Sequence, residues 1–153
     1  MFVTTKKELK QGVVDWLSPH EWNHFVTLTF HQDVTDSQAI KELRVFLKRL
    51  NNALYGRRSK RQIPVAPFME HSKDDRPHFH LLFGKHNSTK INDLKQLVLS
   101  TWDKSYVTSN FHLLNNDEWF QSINQESQTK LIRYCLKEVG YDIDCLELEY
   151  LVL

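Results

Sequence analysis

Five segments of the chain show either alternating apolar and polar residues or an enrichment in β-branched and aromatic residues, both typical of half-buried strands. These predicted strands cover residues 25–30, 63–71, 78–84, 109–114 and 144–153. Only the turn-rich sequence SKDDRP separates the second strand from the third. Because so short a connection most easily joins neighbouring strands, we expect these two to form an antiparallel hairpin.

Three further segments repeat apolar residues at intervals of three and four, which predicts amphipathic helices. They cover residues 36–55, 88–102 and 128–139. Thr35 or Asp36 can cap the start of the first helix, and Gly56 follows its end. Gly140 follows the third helix, at the position where a left-handed glycine commonly ends one.

The order strand, helix, hairpin, helix, strand, helix, strand indicates an α+β protein with a central, largely antiparallel sheet of five strands and helices packed on it. The 153 residues, 41% hydrophobic and 25% charged, have the composition of one globular domain, and we assign residues 1–153 to it. No apolar run approaches the roughly 20 residues that span a membrane, and the opening MFVTTK does not resemble a secretory signal. We therefore expect a protein of the cytosol with no membrane partner.

The basic residues are unevenly distributed, although the net charge is only +1. Arg57, Arg58, Lys60 and Arg61 follow the first predicted helix, and Arg76 lies in the predicted hairpin turn. If these side chains are close together in space, they can neutralise phosphates along a nucleic-acid strand. The alternative is an ordinary solvated loop.

The sequence HFHLLF at residues 78–83 is the most informative local pattern. Side chains two apart in a strand point to the same side, so His78 and His80 can bind one ion, while Phe79 and Leu81 point to the other side. We expect the apolar side to contribute to the core and the histidine side to be wet. By itself, an H-x-H pair is more often two half-buried polar residues.

The neighbouring predicted strand offers Glu70 and His71 as candidates for a third ligand. If both strands turn their more apolar sides to the same core, Glu70 joins the histidines, whereas a shift by one residue would bring His71 there instead. Two imidazoles and a carboxylate suit a divalent ion, Mn²⁺ or Mg²⁺, with positions left for substrate oxygens. We therefore predict a metal site of Glu70, His78 and His80, with His71 as the reserve ligand.

Tyr134 and Lys137 lie three residues apart on the third predicted helix, outside its apolar stripe. A phenol, with a pKa of about 10, needs a neighbouring cation or a metal-polarised phosphate to attack near neutral pH. Lys137 can supply that charge, so the pair suits a nucleophile for phosphoryl transfer. For Y-x-x-K alone, the alternative is a surface tyrosine beside a solvated lysine.

These features follow one another in a distinctive order: the strand FVTLTF, then Glu70 with His78 and His80, then Tyr134 with Lys137. In this order they resemble the three motifs of the HUH endonuclease superfamily. They look most like those of the rolling-circle replication initiators of phages, plasmids and small viruses. The resemblance covers about residues 25–140 and implies a fold similar to the HUH and RNA-recognition domains.

The resemblance also implies a reaction and a role for each motif residue. His78, His80 and Glu70 would hold the divalent ion, and Tyr134 would cleave single-stranded DNA at an origin or hairpin. Tyr134 would remain joined to the 5′ phosphate and leave a free 3′ hydroxyl that primes synthesis. Lys137 would stabilise charge on the phenolate or the phosphate.

Two features of larger or different initiators are missing from the sequence. No second tyrosine lies one helical turn from Tyr134, and we interpret Tyr141 as a packing residue or a DNA contact. There is no G-x-x-x-x-G-K-[ST] loop, and hence no helicase domain. The resemblance therefore implies a separate helicase and DNA polymerase as partners, in a bacterial host.

Two other functions remain open at this stage. A single-tyrosine transposase of an insertion sequence shares the HUH core, and an active site completed by a second subunit would favour it, whereas Y-x-x-K favours an initiator. A non-catalytic nucleic-acid-binding domain would use an aromatic face of its sheet in place of the histidine pair.

Overall fold

The computed structural model describes residues 5–89, 92–102, 117–137 and 145–153. Its helices and strands follow one another as α1 (Lys6–Leu17), β1 (His24–Leu28), α2 (Asp36–Tyr55), β2 (Val65–His71), β3 (Pro77–Phe83), α3 (Leu94–Trp102), β4 (Phe120–Ser122) and α4 (Gln128–Cys135). The fold class is α+β, as predicted from the sequence.

The sheet has four strands in the order β2-β3-β1-β4, and every neighbouring pair is antiparallel. The hairpin between β2 and β3 is confirmed. The prediction of five strands is wrong, however. The predicted strand at residues 109–114 lies outside the described residues, and β4, which was not predicted, is only three residues long.

The C-terminal residues pair with the free edge of β2 without forming a continuous strand. Val152 exchanges two backbone hydrogen bonds with Val65, and Leu146 bridges Phe68. Between these bridges a 3₁₀ turn at Leu148–Tyr150 interrupts the extended chain. The alternation predicted for residues 144–153 is therefore not realised, since Leu146 is buried while Leu148 is half exposed.

The long helix α2 has the predicted bounds because both of its ends carry the expected signals. Thr35 caps its start in a reciprocal capping box with Gln38, and Gly56 follows it with a positive φ of 91°. Helix α3 begins at Leu94, later than predicted, since Asp93 accepts a hydrogen bond from the backbone N–H of Gln96. Among the described residues, no helix is long and apolar enough to cross a membrane.

The third predicted helix is present as α4, which begins at Gln128 and ends at Cys135. Its predicted cap, Gly140, and the following Tyr141 lie outside the described residues. Helix α1 was not predicted, although Thr5 and Glu8 form a capping box before its buried residues Val13, Val14 and Leu17. That capping box was the available sequence signal for α1.

Apolar side chains cover both sides of the sheet. On one side, α2 and α3 pack on strand residues that include Val26, Phe79 and Leu81. On the other, α1 and α4 pack on Phe25, Phe68 and Leu82. The expectation that the histidine side is wet is therefore wrong for most of its length, because two amphipathic helices bury it.

Gly84 provides a test of the close contact where β3 ends. A Cβ atom added there would lie 2.8 Å from Cβ of Pro64, and the ring leaves little room to move. We expect Gly84→Ala to lower the free energy of unfolding by about 1–3 kcal/mol, as overpacking commonly does. Urea denaturation followed by circular dichroism measures this.

Gly12 is the matched control, because an added Cβ would meet nothing within 4 Å in the middle of α1. We expect Gly12→Ala to raise the free energy of unfolding by roughly 0.5–1 kcal/mol through helix propensity. If Gly84→Ala were as stable as the wild type, the packing described for this junction would be wrong.

Candidate metal centre and active site

The register of the β2–β3 hairpin brings the three predicted ligands together. Glu70 lies directly opposite His78, and His80 lies two residues further along the same side of the sheet. Nε2 of His80 is 2.7 Å from one carboxylate oxygen of Glu70, and Nε2 of His78 is 3.6 Å from the other. The reserve ligand His71 contacts Asp36 at 2.9 Å and is not part of this cluster.

The charges of the cluster follow from its partial burial. Burial alone would raise the pKa of Glu70, but a hydrogen bond from Lys137 and the nearby His80 and His78 outweigh it and hold that pKa below its usual value. Burial lowers the pKa of His80 despite the opposing effect of Glu70. The cluster therefore combines an ionised carboxylate with a neutral imidazole at His80, which are the protonation states that bind metals.

The geometry of the cluster fits one divalent ion. The potential ligand atoms of Glu70, His78 and His80 all lie within 4.8 Å of one another. Ligands of a single small divalent ion lie about 2.0–2.2 Å from it, and thus about 4 Å or less apart, so modest side-chain movements are sufficient. One carboxylate and two imidazoles suit ions such as Mn²⁺ and leave coordination positions for other oxygens.

Strand β1 supports His80 from the other side. Thr27 is the register partner of His80, and its Oγ1 lies 3.0 Å from Nδ1 of that imidazole. Phe25 stacks on the same ring, with 5.1 Å between the ring centroids. Since Nε2 faces Glu70, a hydrogen bond from Nδ1–H to Thr27 would leave the Nε2 lone pair for a metal. The sequence analysis assigned no such role to Thr27.

Helix α4 brings Tyr134 to the edge of this cluster. Its ring lies 5.7 Å from the ring of His80 and 6.3 Å from that of Phe25, both in edge-on contacts. The side chain remains 47% exposed, so its hydroxyl is accessible to a substrate. The predicted nucleophile and the predicted metal ligands thus lie together in one chain.

Lys137 lies between Tyr134 and the carboxylate. Its Nζ is 2.6 Å from Oε1 of Glu70 and donates a 3.3 Å hydrogen bond to the Tyr134 hydroxyl. The bond to Glu70 is the main reason that the pKa of Lys137 lies above its ordinary value. The ammonium therefore stays charged at neutral pH and links the phenol to the metal cluster, a contact with Glu70 that the sequence did not reveal.

A buried amide fixes the start of α4. Nε2 of Gln128 donates to the backbone carbonyls of Ser18 and His20, and its Oε1 accepts from the backbone N–H of Trp22. Ile132 and Leu136 then bury themselves against the sheet. These contacts set where Tyr134 projects. They join residues more than 100 positions apart, so no local sequence pattern could have revealed them.

Comparison with known proteins connects this geometry to a family. The family model for the replication-associated protein of the ORF2 type matches residues 23–141. The chain belongs to this family. The matched region begins just before β1 and includes the three cluster residues as well as Tyr134 and Lys137. Searches of curated proteins and of solved structures each found no match.

A protein associated with replication has to meet nucleic acid, and its basic residues fall into two separate places. A cavity of about 460 Å³ beside α2 is lined by several cations: Arg44, Lys48, Arg57, Lys60 and Arg61. Arg58 is exposed and not part of this lining. Arg76 lies in the β2–β3 turn, where its Nε donates a 2.6 Å hydrogen bond to Asp33. Arg76 is therefore not part of the cavity cluster.

The contact between Thr27 and His80 leads to a prediction about metal affinity in this family member. Thr27→Val keeps the branched shape but removes the hydroxyl, so Mn²⁺ binding measured by calorimetry should weaken by about tenfold or more. Thr27→Ser retains the hydroxyl and is the control expected to bind like the wild type. Equal affinity in all three proteins would show that this hydrogen bond does not orient the ligand.

Proposed function

We propose that this chain is an HUH-type endonuclease that nicks single-stranded DNA through Tyr134 and so initiates rolling-circle replication. One observation carries the proposal: an accessible tyrosine lies against a Glu-His-His cluster in the same chain, with a lysine bridging the two. Membership of a replication-associated family supports the biological role.

The proposed step exchanges one phosphodiester bond for another. The Tyr134 oxygen attacks the scissile phosphorus and loses its proton to solvent. A bond from that oxygen to phosphorus forms, while the bond from phosphorus to the 3′ oxygen breaks, and this oxygen takes up a proton. The products are a 5′-phosphotyrosine and a free 3′ hydroxyl, and the reverse reaction rejoins the strand.

Each side chain of the site has a distinct task in this step. Glu70, His78 and His80 would hold Mn²⁺ or Mg²⁺, which when bound withdraws charge from a phosphate. Lys137, whose pKa is raised, remains protonated and stabilises the developing phenolate without acting as a base. Thr27 is a positioning residue, since it contacts only the His80 ring among these groups.

The two alternative functions have weaker support. In a transposase whose site is shared between subunits, Tyr134 would be expected away from its own metal ligands, yet here it contacts His80 of the same chain. A non-catalytic domain that binds nucleic acid on its sheet needs an open aromatic face. In the part of the chain that the structure describes, helices cover both sides of the sheet.

The cation-lined cavity is the proposed contact for DNA outside the nicked position. It lies on the α2 side of the sheet near Val65, whereas the metal cluster lies on the α4 side near Glu70. Five residues of a strand span about 17 Å, so one phosphate cannot contact both places. We propose that Arg57, Arg58, Lys60 and Arg61 bind the flanking phosphates and that Arg76 binds nearer the nick. Unwinding and synthesis are left to a separate helicase and polymerase.

The direct test of the reaction is Tyr134→Phe, which removes one oxygen and keeps the ring. We expect the variant to lose all covalent protein–DNA adduct on denaturing gels after incubation with single-stranded origin DNA and Mn²⁺. Folding and Mn²⁺ binding should be unchanged, because the hydroxyl is exposed and is not among the three ligands. Tyr141→Phe is the control. If it alone abolished the adduct, the nucleophile would be Tyr141.

The role of the cavity can be tested by the salt dependence of binding. Lys48→Ala/Lys60→Ala removes two lining cations, so the slope of log affinity against log salt for single-stranded DNA should become shallower by roughly 1.4. Lys6→Ala/Lys7→Ala removes the same charge from α1 as a control. Identical slopes for the two double variants would exclude the cavity as a phosphate site.

A further inference from the structure

A second, smaller cavity lies at the end of the sheet that carries the metal cluster. It has a volume of about 320 Å³ and is enclosed by the loop after β1 and by the β2–β3 turn. His78, one of the proposed metal ligands, contributes to its wall. A ligand in this cavity would therefore be an immediate neighbour of whatever the ion binds.

The walls of this cavity combine apolar surface with a polar rim. Phe30, Val34 and Pro77 supply apolar surface, and Phe30 is held in place by edge contacts with Phe79 and Trp102. The side chains of Gln32 and Asp74 line the same cavity and are exposed to solvent. Flat apolar faces and a hydrogen-bonding edge are the properties of a nucleobase.

The charges argue against a simple anion site. The one cation of the lining, Arg76, is already paired with Asp33, and the carboxylate of Asp74 would repel a phosphate. An amide and a carboxylate can instead read the edge of a base, because an amide can both donate and accept and a carboxylate accepts from an exocyclic amine.

We propose that this cavity holds the base of a nucleotide next to the scissile phosphate, and that Gln32 and Asp74 select which base is accepted. The inference rests on the nicking reaction proposed above and adds a specificity site to it. With the scissile phosphate at the metal cluster, the cavity beside His78 is within reach of an adjacent nucleotide.

The experiment uses a library of single-stranded DNA with a randomised central region, incubated with Mn²⁺ and the full chain. Covalent adducts are isolated under denaturing conditions, and the attached and released fragments are sequenced to find the nick and the bases beside it. The wild type should show a base preference at a position flanking the nick. Gln32→Ala or Asp74→Ala should weaken that preference about fivefold or more and leave the other positions unchanged.

The variants are chosen so that folding does not limit the test. Gln32 and Asp74 are exposed in loops, whereas Phe30 packs into the core and is left intact. Gln96→Ala is the control, since Gln96 is an exposed residue of α3 outside the cavity. Adducts with wild-type preferences in both cavity variants would overturn the base pocket while the nicking reaction stands. No adduct from the wild type would instead overturn the nicking reaction, and the inference with it.

Discussion

The pairing register of β2 with β3 is the constraint on which the candidate site depends. Glu70 meets the two imidazoles only because it lies opposite His78. A slip of one residue would turn Glu70 to the α2 side and bring His71 to the α4 side. The observed register is held by burial on both sides of the sheet, since the apolar neighbours of each of these residues pack into one of the two cores.

The second constraint is the docking of α4 over the same sheet. Ile132 and Leu136 pack against strand residues, and the buried Gln128 ties the start of the helix to the chain before β1. Tyr134 and Lys137 then face the cluster from above it. The ammonium of Lys137 helps to offset the cost of a partly buried carboxylate, because it supplies both opposite charge and a hydrogen bond. The groups that would perform the chemistry therefore also stabilise one another.

Short-range patterns predicted much of this arrangement. Alternation places His78 and His80 on one side of a strand, and SKDDRP marks the turn that makes Glu70 their neighbour. Long-range contacts were not predictable in this way. Whether Thr27 or another residue would pair with His80 depends on the strand order, and the position of Tyr134 depends on the contacts of Gln128. The five-stranded sheet was wrong because alternation at residues 144–153 does not reveal the 3₁₀ turn that interrupts them.

The account rests on Glu70, His78 and His80 acting together as a binding site for one divalent ion. The most direct measurement is a calorimetric titration of Mn²⁺ into the wild type, His78→Ala and the exposed-histidine control His31→Ala, with thermal unfolding recorded for each. The account predicts one ion per chain for the wild type and the control, and an affinity at least about tenfold lower for a folded His78→Ala. Equal Mn²⁺ affinity in His78→Ala and the wild type would contradict it.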